Sequence, residues 1–274
     1  MAHPFDPAHL AASAQQKEGL GDWGPLPFEE ALAVLTDDYA AADLNYVGMH
    51  ILRSGLVHSL RMRLRAQEWI RRRPEILEET IVAPIVVVGM MRSGTTLLQR
   101  LLAADCEFHC AYGWEVVEVA PKLDHRWSQE EDPRIVVSEQ RKATTRELAP
   151  ELFAIHPMYA REPEEEIVFL TDAFLSHVPE SGAHVVHMHR DPRETIPSGA
   201  SLNATLHAMH ADRVDRDRVG AEWLQRMGWT NDRAMATRDG WADDSALCTD
   251  VEFADAVADP IGQVSVCMTR SACH

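Results

Sequence analysis

The stretch VVVGMMRSGTTLLQRLL, residues 86–102, places an apolar run directly before a glycine, an arginine, a serine and two threonines. The β-branched residues before Gly89 are typical of a parallel strand that is covered on both faces. After the polar residues, leucines recur with the period of an amphipathic helix. The stretch therefore predicts a buried strand, a tight loop and a helix over residues 95–104.

Outward from this stretch, strand and helix patterns alternate towards the carboxyl end. The sequence HVVHMHR, residues 184–190, predicts a second strand, followed by a helix that begins at about 195 or 198 and ends near 208. Residues 216–238 predict a further helix, and ALCTDVEF predicts a last short strand. Such alternation is typical of an α/β fold with a parallel sheet. We therefore expect a P-loop-like parallel sheet flanked by helices.

The chain before this region has a different pattern. Residues 1–26 are rich in Pro, Gly and Ala, and we expect them to wrap loosely over the surface. Apolar residues at helical spacing predict helices over 28–44 and 46–73. The expected organisation is a helical N-terminal subdomain, residues 1–80, and a P-loop α/β domain, residues 81–274.

The second of these helices carries the sequence RMRLRAQEWIRRR, residues 61–73, with six arginines and one glutamate. Such a run can form a patch that binds nucleic acid, a membrane or a ligand. It can equally form a solvated helix face that offsets acidic neighbours, which is the interpretation that the pattern favours.

The formal net charge of −17 limits the partners of this chain of 274 residues. A surface of that charge repels nucleic acid and sulfated or phosphorylated polymers over a Debye length of about 8–10 Å. We therefore expect no nucleic-acid partner, and any anionic ligand must be held by local cations.

Apolar patterning and cysteine usage bear on the compartment. The longest apolar run falls short of the ~20 residues that a membrane span needs, and the first twenty residues show no secretory pattern. The five cysteines are an odd number without framework spacing, which suits a reducing compartment. The expected location is the cytoplasm, and the oligomeric state is left open.

The loop itself has the spacing of a nucleotide phosphate loop from Gly89 to Thr96, with threonine in place of the usual lysine. A strand, a tight loop and a helix N-terminus direct backbone N–H groups and the positive end of the helix dipole at one spot. The sequence therefore predicts an anion site. Arg92 offers a cation in place of the lysine.

Together, RSGTTLL after the first strand and HRDPRETIPSGASL after the second resemble the sulfotransferases that use 3′-phosphoadenosine 5′-phosphosulfate (PAPS). The loop is most similar to the bacterial branch with arginine at this position. The resemblance implies PAPS as the sulfuryl donor, no metal, and a small or lipid-like hydroxyl acceptor. It implies that the 3′-phosphate binds Arg190 and Ser198, and that the 5′-phosphosulfate binds the loop residues Arg92, Ser93, Gly94, Thr95, Thr96 and Leu97.

Transfer to an alcohol requires a group that accepts the hydroxyl proton. The segment AYGWEVVEVAP, residues 111–121, resembles the family segment that carries an acidic residue, which makes Glu115 the candidate base. His109 is the alternative, because some sulfotransferases use histidine.

Three other interpretations stay open at this stage. Arg190 can pair with a carboxylate while Ser198 only caps a helix. The chain also lacks the strand and the segment that relatives have just before HRDP, and the usual C-terminus, so a non-catalytic remnant that binds nucleotide is an alternative. A P-loop kinase or NTPase needs the lysine that the loop lacks.

Two clusters also suggest metal ligands. The histidines of the second strand, His184, His187 and His189, have no evident acidic partner in the sequence, and Cys106, His109 and Cys110 have no second cluster at a suitable spacing. We therefore expect packed or surface side chains at both places.

Overall fold

A computed structural model describes residues 3–81, 84–126, 131–165, 183–241 and 248–271. In chain order its elements are α1 (Pro7–Glu18), α2 (Glu29–Ala41), α3 (Tyr46–Arg72), a 3₁₀ turn (Pro74–Glu78), β1 (Ile85–Gly89), α4 (Thr95–Leu102), α5 (Gly113–Val117), α6 (Pro133–Leu148), α7 (Pro150–Ile155), β2 (His184–His189), α8 (Pro192–His210), α9 (Arg216–Asp239), β3 (Cys248–Glu252), α10 (Phe253–Ala258) and α11 (Pro260–Ser271).

The three strands form one parallel sheet in the order β1-β2-β3. In its register Ile85 lies beside His184, and Val185 lies beside Cys248. The α/β fold class with a parallel sheet is thus confirmed. Parallel neighbours place the carboxyl ends of all three strands at one edge of the sheet, which is where ligands bind in open α/β sheets.

The chain divides into two compact units. The first contains residues 1–79, 111–178 and 208–213, and the second contains residues 80–110, 179–207 and 214–274. The first unit thus includes the helical segment expected over residues 1–80 and adds a long stretch of the region assigned to the α/β domain. The sheet lies in the second unit.

The core of the second unit covers one face of the sheet. Leu98 of α4 and Cys267 of α11 pack against Val186 and Met188 of β2, and all four side chains are buried. The opposite face is less covered than expected, since Val88 of β1 is 37% exposed. The expectation that β1 is covered on both faces was wrong for this residue.

The core of the first unit includes α1, where we expected a loose N-terminal segment. Leu10 and Ala14 of α1 are fully buried with Leu60 of α3. Asp6 caps the helix by accepting from the backbone N–H of His9, and Gly19 ends it with φ 69°. The expected loose wrapping was therefore wrong.

The arginine-rich segment of α3 is also less solvated than expected. Arg65 is 2% exposed and donates to Glu18 at 2.7 Å and to Glu118 at 3.1 Å. Arg63, also buried, donates to the backbone carbonyl of Trp23 at 2.8 Å. Arg65 thus offsets acidic neighbours, but inside the unit rather than on a solvated face, whereas Arg63 binds a backbone carbonyl.

Across the described residues no helix is long and apolar enough to cross a bilayer.

Candidate functional site

The loop between β1 and α4 turns tightly through two residues with left-handed backbone. The backbone N–H of Ser93 donates to the carbonyl of Met90 at 2.9 Å and closes the turn. Arg92 has φ 73° and Gly94 has φ 102°. The left-handed region costs a side-chain-bearing residue such as Arg92 roughly 1–3 kcal/mol, and such strain collects at functional sites.

Two glycines allow the loop to approach its neighbours closely. A Cβ on Gly89 would lie 2.7 Å from the carbonyl oxygen of Met188, and one on Gly94 would lie 2.4 Å from the Phe253 ring. Neither distance is compatible with a side chain. Both positions therefore require glycine for the loop to sit against β2 and the start of α10.

The loop presents hydrogen-bond donors at the N-terminus of α4. The first N–H groups of a helix have no acceptor within the helix, and the dipole makes this end positive. Ser93 is 1% exposed, and its hydroxyl has no hydrogen-bond partner among the described residues. A buried hydroxyl without a partner is costly unless a ligand satisfies it. These features fit a bound anion, although the Ser93 N–H itself is occupied by the turn.

The two sequence motifs meet at Arg92. Its Nε donates to the hydroxyl of Ser198 at 3.0 Å, and its carbonyl oxygen accepts from Nη1 of Arg190 at 3.2 Å. Arg190 follows β2 directly, and Ser198 lies on α8. The structure thus brings together one loop cation, a second cation and a hydroxyl from segments about a hundred residues apart in the chain.

Arg190 is also held by two residues that sequence reasoning missed. Its guanidinium pairs with the exposed carboxylate of Glu194 at 2.9 Å and lies 4.3 Å from the centre of the Phe253 ring. The alternative in which Arg190 pairs with a carboxylate is therefore realised in this structure. The i,i+4 spacing on a helix start is the signal that could have identified Glu194.

The helix that carries Ser198 begins earlier than expected. Pro192 occupies its first turn, where proline is favoured, and the carbonyl of Asp191 accepts from Glu194 and Thr195. Ser198 consequently lies in the second turn of α8. The expected helix start at 195 or 198 was wrong, and Ser198 does not cap the helix.

The two candidate bases lie in different units. Glu115 of the first unit is half-buried, and its carboxylate accepts from the backbone N–H of Tyr112 at 2.9 Å, which caps α5. His109 is exposed and belongs to the second unit, as does the loop. Glu115 therefore has at least a structural role.

The sequence contains four apolar residues that could line an acceptor pocket or equally belong to a core: Trp114, Trp127, Phe153 and Met158. Trp127 lies outside the described residues. Trp114 stacks against the guanidinium of Arg134 at 4.5 Å, and Phe153 is buried. Trp114 and Phe153 both belong to the first unit, whereas the phosphate loop belongs to the second. Their role in an acceptor pocket therefore stays a prediction.

The histidines of β2 have an acidic neighbour that the sequence did not reveal. Asp250 of β3 accepts from Nε2 of His189 at 2.5 Å, while His184 on the other face contacts the Thr249 hydroxyl at 2.8 Å. Hydrogen bonds from Arg238 and, to a smaller extent, from His189 lower the pKa of Asp250 to about 2. The expectation that these histidines lack an acidic partner was wrong, because the partner lies 61 residues further along.

Comparisons with known proteins agree with this architecture. The model of the sulfotransferase family matches residues 84–182 and 181–267, in two pieces that meet where the missing internal segment was expected. Among curated proteins none matches the chain.

Two solved structures are similar over nearly the whole chain. The sulfotransferase STF1 from Mycobacterium tuberculosis H37Rv has a TM-score of 0.72 and 25% identity, with 97% of this chain and 88% of that chain covered. The sulfotransferase STF9 from Mycobacterium avium has a TM-score of 0.76 and 18% identity, with 97% and 83% covered, and at that identity it bears on the fold alone.

Proposed function

The chain belongs to the sulfotransferase family, and we propose that it moves a sulfuryl group from PAPS to a hydroxyl of a small or lipid-like acceptor. The observation that carries the proposal is the meeting of the two motifs, in which Arg92 contacts both Ser198 and Arg190. Two cations and a hydroxyl at the end of parallel strands form a site for a ligand with two separate anionic groups.

The loop end of this site fits the 5′-phosphosulfate. PAPS, when bound, supplies the activated sulfuryl group. The N-terminus of α4 directs its N–H groups at the anion, and the buried Ser93 hydroxyl gains the partner that it lacks among the described residues. Arg92 provides the charge that stabilises the leaving phosphate oxygen, and Thr96 adds a hydroxyl donor. Removal of one such preorganised donor typically costs about 2.7–4 kcal/mol of barrier.

The second end fits the 3′-phosphate. Arg190 offers a planar guanidinium that can bind phosphate through two N–H groups, and Ser198 adds a hydroxyl. Arg190 must leave the carboxylate of Glu194 to do so. An exposed pair of this kind is worth only about 0.2–1 kcal/mol, so a doubly charged phosphate displaces it readily.

The acceptor hydroxyl loses its proton to Glu115 in this proposal, with His109 as the alternative base. The backbone N–H of Tyr112 donates to one oxygen of the Glu115 carboxylate and so fixes its orientation. The second oxygen of the carboxylate can take a proton. The net charge of −17 favours a neutral alcohol, phenol or sterol-like acceptor over a polyanionic sugar.

The first test compares the melting temperature of the chain with two ligands in the presence of a chelator and with a third ligand in its absence. Adenosine 3′,5′-bisphosphate should stabilise the chain without metal, and adenosine 5′-monophosphate should do so less, because it lacks the 3′-phosphate. ATP with Mg²⁺, added in a sample without chelator, represents the kinase or NTPase alternative. Stabilisation that strictly requires Mg²⁺ would contradict the proposal.

A second test separates the 3′-phosphate contact from general effects on the loop. Arg190→Gln should weaken binding of adenosine 3′,5′-bisphosphate by ~1.5–3 kcal/mol, the range for a hydrogen bond to a charged group. The same substitution should change the affinity for the monophosphate much less. Equal losses for the two nucleotides would place Arg190 away from the 3′-phosphate.

A labelled-sulfate assay over a panel of acceptors tests turnover. Glu115→Gln should abolish transfer and leave nucleotide binding intact, because the amide oxygen still accepts from Tyr112 but takes no proton at neutral pH. His109→Ala is the matched variant for the alternative base. Nucleotide binding by the parent chain without transfer to any acceptor would favour the non-catalytic remnant.

A further inference from the structure

Three side chains on one face of the sheet form a compact group, here called the His–Asp cluster: His187 and His189 of β2 and Asp250 of β3. His187 and His189 are two residues apart, so their side chains leave the strand on the same face. Asp250 lies directly beside His187 in the parallel register. The cluster is therefore a consequence of strand geometry and not of flexible loops.

The donor atoms of the His–Asp cluster converge. One nitrogen from each imidazole and one carboxylate oxygen all lie within 4.8 Å of one another. The two rings have centroids 4.2 Å apart, and His189 Nε2 is 2.5 Å from Asp250 Oδ1. Ligand atoms about 2.0–2.2 Å from a tetrahedral Zn²⁺ lie roughly 3.4 Å apart. That separation lies between the 2.5 Å of the His189–Asp250 contact and the 4.8 Å within which all three donor atoms fall.

Burial and charge also fit a metal site. His187 is 7% exposed, so one ligand is already desolvated by the fold, while the open side at Asp250 gives an ion access. Two imidazole nitrogens and one carboxylate oxygen are the donor set of many zinc and other divalent transition-metal sites. We propose that the His–Asp cluster binds a divalent transition-metal ion, with Zn²⁺ as the best match to its donors.

Arg238, in the last turn of α9, competes with the ion for the same groups. Its Nη1 donates to Asp250 Oδ1 at 2.6 Å and contacts His187 Nδ1 at 3.2 Å, while its Nη2 donates to Asp250 Oδ2 at 3.0 Å. Metal binding displaces Nη1 and can retain the Oδ2 contact, since ligating carboxylates are commonly hydrogen-bonded on the outside. The nearby positive charge weakens the affinity for the ion.

The metal would tie β2 to β3 immediately before two residues of the anion site. His189 is followed by Arg190, and β3 is followed by Phe253, whose ring lies against the Arg190 guanidinium. The inference does not depend on sulfuryl transfer, because the metal ligands are separate from the loop. Metal binding and transfer can therefore fail or succeed independently.

The test uses the full chain with Cys106→Ser and Cys110→Ser, so that thiols near His109 do not bind the ion. After treatment with a chelator and its removal, the protein is titrated with Zn²⁺ by calorimetry, and Co²⁺ absorption reports nitrogen and oxygen ligands. We expect saturable binding of a single equivalent. His189→Ala should reduce the affinity at least about tenfold, and the exposed His207→Ala is the matched control that should not change it.

Arg238→Gln should change the affinity for Zn²⁺ in the opposite direction from His189→Ala. It removes the competing charge and keeps an amide that can donate to Asp250, so the affinity for Zn²⁺ should rise several-fold. Because His189 is partly exposed, its variant should keep the fold, which far-ultraviolet circular dichroism verifies. No binding at millimolar Zn²⁺, or equal binding by the parent and the His189 variant, would overturn the proposal, and no gain in the Arg238 variant would overturn the competition.

Discussion

At the scale of single residues, Arg92 combines backbone strain with the proposed chemistry. Its φ of 73° places it in the left-handed region, which glycine adopts without cost and alanine does not. Arg92→Gly and Arg92→Ala both remove the guanidinium, so both should lose nucleotide affinity and sulfuryl transfer alike. The glycine variant should nevertheless have a free energy of unfolding about 1 kcal/mol higher than the alanine variant.

Chemical denaturation of the two variants measures this difference, and calorimetry with adenosine 3′,5′-bisphosphate measures the shared loss of affinity. Equal stability would mean that the loop does not hold residue 92 in a left-handed conformation in solution.

Glu194 gives a second prediction at this scale. Its carboxylate pairs with the Arg190 guanidinium, and its side chain is 60% exposed. Glu194→Gln removes the competing charge, so adenosine 3′,5′-bisphosphate should bind more tightly, by up to roughly fivefold given the worth of exposed pairs. Affinity for the monophosphate, which does not need Arg190, serves as the control. Weaker binding of the bisphosphate by this variant would show that Glu194 supports the site.

At the scale of elements, the sequence predicted best the segments whose signals are local. The apolar run of β1 and the leucine period of α4 specify both elements without reference to the rest of the chain, and both were confirmed. The helix α1 was missed, although Asp6 and Pro7 are a typical helix start. Its composition gave no sign that Leu10 would be fully buried.

Contacts between distant segments account for what the sequence could not show. The proximity of Arg92 and Ser198 was expected only through the family resemblance, since no local pattern joins residues 106 positions apart. Asp250 was missed because its relation to His187 depends on strand register. The register of parallel strands follows from the crossover helices between them, which single-residue patterns do not encode.

The prediction at the scale of elements concerns the stability that two arginines of the helix α3 contribute. Arg65 is 2% exposed between Glu18 and Glu118, whereas the Arg71 side chain is 65% exposed and pairs with Glu68 on the same helix. Arg65→Met should lower the free energy of unfolding by about 3 kcal/mol, the lower end of the cost of breaking a buried ion pair, because Glu18 keeps Arg61 and Glu118 keeps Arg141. Arg71→Met should leave the free energy of unfolding almost unchanged, because a solvent-exposed ion pair contributes little to stability.

Urea denaturation of the two variants, on the same helix and with the same replacement, measures the contrast. Similar small losses for both would restore the interpretation of this segment as a solvated basic face.

At the scale of the whole molecule, stability should depend on pH through His58. Burial, and then the nearby charge of Arg141, hold the pKa of His58 below its ordinary 6.5, while Glu118 opposes the shift. The unfolded chain therefore binds a proton before the folded chain does as the pH falls. This contribution to stability is complete above pH 6.5 and is lost as the pH falls from there towards the lower pKa of the folded state.

His58→Gln isolates this contribution, since the amide can still donate to the carbonyl of Val117 that His58 Nε2 contacts at 2.8 Å. Between pH 8 and pH 5 the free energy of unfolding should fall less in the variant than in the parent. Parallel pH profiles for the two proteins would mean that His58 titrates normally in the folded chain.

The last prediction follows from the net charge of −17 and concerns the choice of acceptor. A neutral phenol or sterol-like alcohol approaches the protein without electrostatic cost, whereas a carboxylated analogue of the same size is repelled until salt screens the field. Transfer to the neutral acceptor should therefore change little between low and moderate ionic strength. Transfer to the anionic analogue should start lower and rise with added salt.

The measurement is kcat/KM for the matched acceptor pair at several NaCl concentrations, with PAPS saturating at each one. Saturation matters because the anionic donor binds through the same cations that salt screens, and its affinity falls as salt rises. A preference for the anionic analogue that weakens with salt would mean that local cations such as Arg190 extend their attraction to the acceptor. In that case the site, and not the global charge, would select the substrate.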